Sequence, residues 1–215
     1  MTVDDARETG VDPGLDRLVF YSDAVAAIAM TLLALDLPVP AGDTDAKLWR
    51  SFTGHLGHEY LNFLLSFVVI AAFWRAHHRF FAHVARIRFG LVGLNMLFLL
   101  TIVVVPFATR VLGETGRTGH ARPTRFGPVF YAATIAAVGL SLLLMAVLAH
   151  RHGMLRPGTP PAVTGELTRG TAVPVAAFLA SIPLAFVNVD LAKYSWLFLS
   201  VLAVFTLRTV RRIRG

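Results

Sequence analysis

The run Arg17-Leu-Val-Phe-Tyr-Ser22-Asp23 leads directly into an uncharged apolar stretch that continues through Leu35. Asp23 lies six residues beyond Arg17, about 9 Å along a helix, so an acid is carried well below the level of the arginine. At mid-depth in a bilayer such a charge costs at least about 2.5 kcal/mol without compensation, and the group needs a partner. At about 100° per residue Asp23 falls on the side of Ala27, Met30 and Ala34, while Ile28, Thr31, Leu32 and Leu35 form a separate stripe at i, i+3, i+4 and i+7. Small alanines beside Asp23 suit close helix approach and a buried hydrogen-bond network. Trp74, His77 and Asn95 are the expected partners, His77 and Asn95 first, because both fall within a turn or two of the depth of Asp23. Two readings of this group stand side by side: a packing network that fixes the rotation of the first helix, and a network that responds to pH through His77.

The elements that must position these residues are membrane spans. Of the 215 residues 55% are hydrophobic and only 15% charged, against about a quarter charged in ordinary soluble domains. This composition excludes a disordered or water-soluble chain. A span needs roughly 20 apolar residues, and the expected helices are about 17–38, 59–82, 88–112, 126–150, 171–189 and 192–210. The predicted class is all-α: a polytopic membrane protein with six transmembrane helices, read as one domain over 1–215 with loops at 42–58, 113–125 and 152–169. The acidic first sixteen residues lack a basic n-region and predict no cleavable signal peptide. With no cysteine, no disulfide, thiolate nucleophile or cysteine metal site is available. The net charge of +7 is carried by arginines flanking apolar stretches, which points to lipid headgroups and topology rather than to nucleic acid. Dividing the 20 Lys and Arg residues between the two sides of a six-span arrangement places 13 with both termini and 7 opposite, so both termini are expected to be cytoplasmic.

The motif RLVFYSD followed by Ile28-x-x-Thr31-Leu32-x-x-Leu35 resembles the signature of the bacterial relatives of the endosomal and lysosomal potassium channel, transmembrane protein 175. Trp74-x-x-His77, Asn95 and Pro106-Phe107-x-Thr109 are similar to that family's later motifs. Tyr21 departs from the family's usual Phe, and Ala24 and Ala26 stand where Gly and Phe are common. The resemblance implies a homotetramer in a prokaryotic plasma membrane, with the first helix of each subunit lining one central cation pathway. It implies Ile28, Leu32 and Leu35 as pore-lining hydrophobic positions with Thr31 beside them, Arg17, Ser22 and Asp23 as the first-helix motif, and K+ as the permeant ion with no cofactor. One point follows from the residues themselves: a single stripe lines a pore only when several copies meet about a symmetry axis. No Thr-Val-Gly-Tyr-Gly run occurs, so neither a re-entrant pore loop nor a carbonyl filter is expected, and selection falls to an apolar constriction. The alternative for the same stripe is ordinary helix-packing core.

Asp36 at the outer end of the first helix, with Asp43 and Asp45 nearby, is either an acidic ring that attracts cations or a solvated helix exit. His77 and His78 are adjacent and diverge around a helix, so no metal site is expected with His83. Tyr60, Trp74, Tyr194 and Trp196 read as interfacial belt residues, Asn188 and Asp190 as caps of the last outward turn, and Gly93 and Gly139 as points of close helix approach. The function reading is a potassium-permeable, potassium-preferring channel and not an enzyme, since no set of nucleophile, base or ligands converges at one depth. The alternative is a secondary transporter using Asp23 and His77 as an intramembrane site, although paired Gly or Pro breaks in two halves are not evident.

Overall fold

The computed structural model describes residues 13–54, 57–116, 124–188, 191–192 and 195–196. Among the described residues six helices run in order, α1 Pro13–Leu35, α2 Asp45–Thr53, α3 Gly57–Phe81, α4 Phe89–Gly116, α5 Phe126–Arg151 and α6 Pro161–Val187. All but α2 are long and apolar enough to cross a membrane. Apart from a single bridge between Val84 and Leu155, the described residues contain no β-structure. Most of the stretch 192–210, with Lys193 and Tyr194, lies outside the described residues, as do Asp190, Arg117, Arg122 and the first twelve residues.

The helices extend beyond the apolar windows where capping chemistry permits. α6 begins at Pro161, ten residues before the apolar stretch, because proline suits the first helical turn. The segment 42–58, expected as loop throughout, contains the exposed helix α2. Thr44 caps α2 by accepting a hydrogen bond from the Lys47 N–H, and Asp45 occupies the first turn, where a negative charge is favoured. The Phe52 ring sits 4.7 Å from that of Tyr60, whose hydroxyl donates to the Pro38 carbonyl at 2.7 Å, tying α2 to the start of α3.

The core lies around α5, which packs extensively against α4 on one side and α6 on the other. Of the apolar window of α5, 61% is buried, against 22% for α1, so α1 is the peripheral span of the protomer. α1 packs on α3 and α4. Trp196, expected in an interfacial belt, is fully buried instead: its indole donates to Ser181 Oγ at 2.8 Å and its ring lies 5.3 Å from Tyr131. Asn188 accepts a hydrogen bond from the Leu191 N–H at 3.1 Å, capping the end of α6. Pro106 lies inside α4 and Pro174 and Pro183 inside α6, where neighbouring helices tolerate the lost N–H donors.

At the opposite end, α5 stops at Arg151 and the chain turns away at Gly153, whose φ of 61° is a left-handed value that favours glycine. The Met154 N–H then bonds back to the Ala149 carbonyl at 3.0 Å and the Met154 side chain is buried.

The glycines separate two cases that look alike in sequence. A Cβ on Gly139 would overlap a Val175 methyl and stand 3.2 Å from the Phe73 ring, so this position lets α5 approach both α6 and α3. Gly93 is exposed and a Cβ there would meet nothing within 4 Å, so within the protomer it is not a point of close approach. Gly139→Ala should therefore lower stability by about 1–3 kcal/mol through overpacking, whereas Gly93→Ala should be neutral or stabilise by up to about 1 kcal/mol. Thermal unfolding of the detergent-solubilised variants measures both; equal effects would remove the distinction.

Candidate functional site on the first helix

α1 has two faces. Leu15, Ser22, Ala26, Ala29 and Leu33 are buried, and on the helical wheel they share one side. Phe20, Ala24, Ala27, Ile28, Thr31, Leu32, Ala34 and Leu35 are exposed over an arc of about 160°. The alanines at the close helix contact are thus Ala26 and Ala29, not Ala27 and Ala34 beside Asp23. Ala26 and Ala29 let α1 settle on α3 and α4.

Two polar linkages cross from the buried side. In the first, Asn95 of α4 donates from Nδ2 to Ser22 Oγ at 2.9 Å, and its Oδ1 lies 2.7 Å from His77 Nε2 of α3. Ser22 in turn donates to the Leu18 carbonyl at 2.7 Å. This pattern assigns the Nε2–H to His77, because the Asn95 oxygen can only accept. All three side chains are at least 98% buried, and the His77 ring stacks on Phe98 at 4.8 Å and an interplanar angle of 11°. In the second linkage Trp74 donates its indole N–H to Asp23 Oδ1 at 2.8 Å, and His78 Nδ1 lies 3.9 Å from the same oxygen.

The partners of Asp23 are therefore Trp74 and His78, rather than His77 and Asn95. One turn of α3 carries all three groups, and its 3.6-residue period aims His77 toward α4 while Trp74 and His78 reach the edge of α1 where Asp23 emerges. Asp23 keeps 31% of its side chain exposed, which moderates the cost of holding a carboxylate there. The geometry brings together Ser22, Asp23, Trp74, His77 and Asn95, with the half-buried Trp74 donating to Asp23. Arg17 stays exposed at the start of α1, apart from the group.

The opposite face carries the apolar stripe. Ile28 is 57% exposed, Leu32 38% and Leu35 79%, and Thr31 is exposed with its hydroxyl turned back to the Ile28 carbonyl at 2.7 Å. Within the protomer the stripe is open and is not packing core.

Two features escaped the sequence reading. Thr109 Oγ1 lies 2.7 Å from Ser66 Oγ, which lies 3.1 Å from the Tyr131 hydroxyl, a buried network joining α3, α4 and α5. Isolated polar residues in three apolar runs were the available signal. At the end of the bundle next to α2, Asp36 lies 3.6 Å from Arg110 Nη1, and Arg110 Nε donates to Glu114 at 2.9 Å. These line a cleft of about 300 Å³ with Glu59, Asn62 and Thr109. Among the described residues no three His, Asp or Glu side chains come together as metal ligands.

Helix order, a first helix locked by buried polar groups and an unoccupied apolar face define a polytopic α-helical membrane protein built around its first span. Comparison with known proteins makes the class specific. Residues 17–106 match the family model described as the endosomal/lysosomal potassium channel TMEM175. A potassium channel of Streptomyces collinus is 32% identical over 179 residues, spanning 81% of this chain and 84% of its own. The crystal structure of a lysosomal potassium-selective channel TMEM175 homolog from Chamaesiphon minutus matches with a TM-score of 0.74 at 26% identity, covering 91% of this chain and 98% of that one. The endosomal/lysosomal proton channel TMEM175 of Danio rerio is 24% identical over 65% of this chain, which spans only 26% of that protein. The chain belongs to the TMEM175 family. Its relatives are named as channels, a family without enzymes.

The linkages make a separable prediction. Asn95→Ala leaves the His77 N–H and its own cavity unsatisfied and should cost about 1–3 kcal/mol. In double-mutant cycles His77 with Asn95, and separately Asp23 with Trp74, should couple by at least about 0.5 kcal/mol, while Asp23 with Asn95 should be closer to additive. Equal coupling across all three pairs, read from unfolding midpoints, would merge the two linkages into one.

Proposed function

We propose that this chain is the subunit of a potassium-permeable, potassium-preferring cation channel. Four copies place their α1 helices around one central pathway. Ile28, Leu32 and Leu35 form the apolar constriction and Thr31 lies beside them. The observation that carries this reading is the open face of α1: the polar linkages turn the opposite face inward, and the stripe is left at 57%, 38% and 79% exposure in the protomer. The names of the Streptomyces and Chamaesiphon relatives support potassium as the permeant ion. Selection in such a pathway rests on narrowing, dewetting and the cost of removing ion hydration.

Under this reading the whole of 1–215 is one membrane domain, multi-pass in the plasma membrane of a prokaryote and in contact with its lipids, with both termini cytoplasmic. Arg17, Ser22, Asp23, Trp74, His77 and Asn95 act structurally, holding α1 at one rotation. Asp36 sits at the outer mouth and attracts cations, partly offset by Arg110. A transporter site made jointly of Asp23 and His77 has less support, because the two side chains bind different partners.

Purified protein in liposomes under a potassium–sodium gradient tests the proposal. Wild type should show a potassium-weighted reversal potential, and its mass in mild detergent should be four times the 23.4 kDa subunit. Ile28→Asn should keep that assembly and move the permeability ratio severalfold toward unity, because a polar side chain wets the constriction. Fully conducting monomers, or an unchanged ratio in assembled Ile28→Asn channels, would sink the mechanism. Asp36→Asn should reduce potassium current at low ionic strength and match wild type near about 1 M salt, where screening is complete within a few ångströms. A deficit that persists at high salt would mean a structural role instead.

A further inference from the structure

At the end of the bundle opposite α2, two interhelical loops are fastened to each other. The Ala85 N–H bonds to the Met154 carbonyl at 2.8 Å, the Arg156 N–H to the His83 carbonyl at 2.9 Å, and Val84 pairs with Leu155. Val84 and Met154 are buried beneath the crossing. The crossing holds together loops that follow two different spans, α3 and α5, and it brings their arginines to one place. Arg86, Arg88 and Arg156 are exposed, with Arg79 and Arg151 at the adjoining helix ends. Arg156 Nε lies 3.5 Å from the Val84 carbonyl, folded across the crossing.

The residues of these loops and the helix ends beside them point to what this surface binds. Between Glu59 and Glu166 the sequence has one other acid, Glu114, and both Glu59 and Glu114 line the cleft at the other end, so these loops supply no counter-charge. Arg79 and Arg151 are favoured by the C-terminal ends of α3 and α5, but Arg88 stands at the N-terminus of α4, where the helix dipole disfavours a cation unless an anion covers both. Residues 85–88 are non-helical, Ile87 packs against the core, and Arg86 and Arg88 on either side of it are exposed. Phe89 immediately follows and is 94% exposed at the start of a membrane span. A cluster of exposed arginines beside a bare aromatic ring at the start of a membrane span fits one ligand that carries both an anion and an acyl chain.

We propose that the crossed loops 82–88 and 152–156 form a binding site for an anionic phospholipid, with Arg86, Arg88 and Arg156 on the headgroup phosphate and Phe89 against its chains. The leaflet, but not the site, rests on the orientation proposed above, which makes it cytoplasmic. Bound lipid would add a link between α3–α4 and α5–α6 where the two loops cross.

Native mass spectrometry of the assembled protein tests this with phosphatidylglycerol and phosphatidylcholine of matched chains. Wild type should retain phosphatidylglycerol at least severalfold over phosphatidylcholine, and the preference should fall as salt rises from about 0.05 to about 0.5 M. The combined Arg86→Gln, Arg88→Gln, Arg156→Gln variant should lose the preference, and the corresponding lysine variant should keep most of it. Equal retention of the two lipids by wild type, a salt-independent preference, or undiminished phosphatidylglycerol binding in the glutamine variant would overturn the site. Displacement of lipid by inorganic phosphate beyond that by chloride at matched ionic strength would make the ligand a soluble anion and overturn the lipid assignment. Ion flux need not change, so failure here is distinct from failure of the channel reading.

Discussion

A polar side chain inside a bilayer has no water to turn to, and this single constraint organises the protein. Ser22 and Asp23 are consecutive on α1 and therefore point about 100° apart, so no one neighbour can satisfy both. The structure answers with two helices: Asn95 of α4 reaches Ser22, and Trp74 of α3 reaches Asp23. Each bond alone is worth about 1 kcal/mol net, but leaving either partner buried and unpaired costs more, so the arrangement is defended by the cost of breaking it. With its rotation fixed by two helices, α1 has no freedom over where Ile28, Thr31, Leu32 and Leu35 point.

The rest of the bundle forms a platform for that lock. α5 is buried along most of its length, and Gly139 allows it to approach α3 and α6 closely. The Thr109–Ser66–Tyr131 network repeats the same logic one layer away from α1, joining α3 and α4 to the central helix. His77 serves both functions at once, since its ring stacks on Phe98 while its nitrogen holds Asn95. The two ends of the bundle differ in charge: Asp36, Glu59 and Glu114 line one cleft with Arg110 at one end, and the crossed loops at the other carry arginines and no acid of their own. In a chain that spans a membrane, that asymmetry places different chemistry before the two aqueous phases.

Much of this was legible in the residue order. Apolar runs of span length and an acid set inside the first of them determined a polytopic helical protein and marked Ser22, Asp23, Trp74, His77 and Asn95, because hydropathy and depth along a helix are one-dimensional quantities. The short helix α2 was not legible, since its cap and nine residues carry no long periodicity. Which acceptor each donor would choose was not legible either. Asp23 pairs with Trp74 and His77 with Asn95 because the rotation of α3 and the crossing of α4 set direction. Gly93 and Gly139 are the same letter in similar helices, yet only Gly139 has another helix against it. Trp196 looked like a boundary residue and is core. Sequence alone determined which groups had to be kept from lipid and how deep they lie; the tertiary structure alone decided which groups meet, because pairing depends on the distances and rotations between helices, which no single helix encodes.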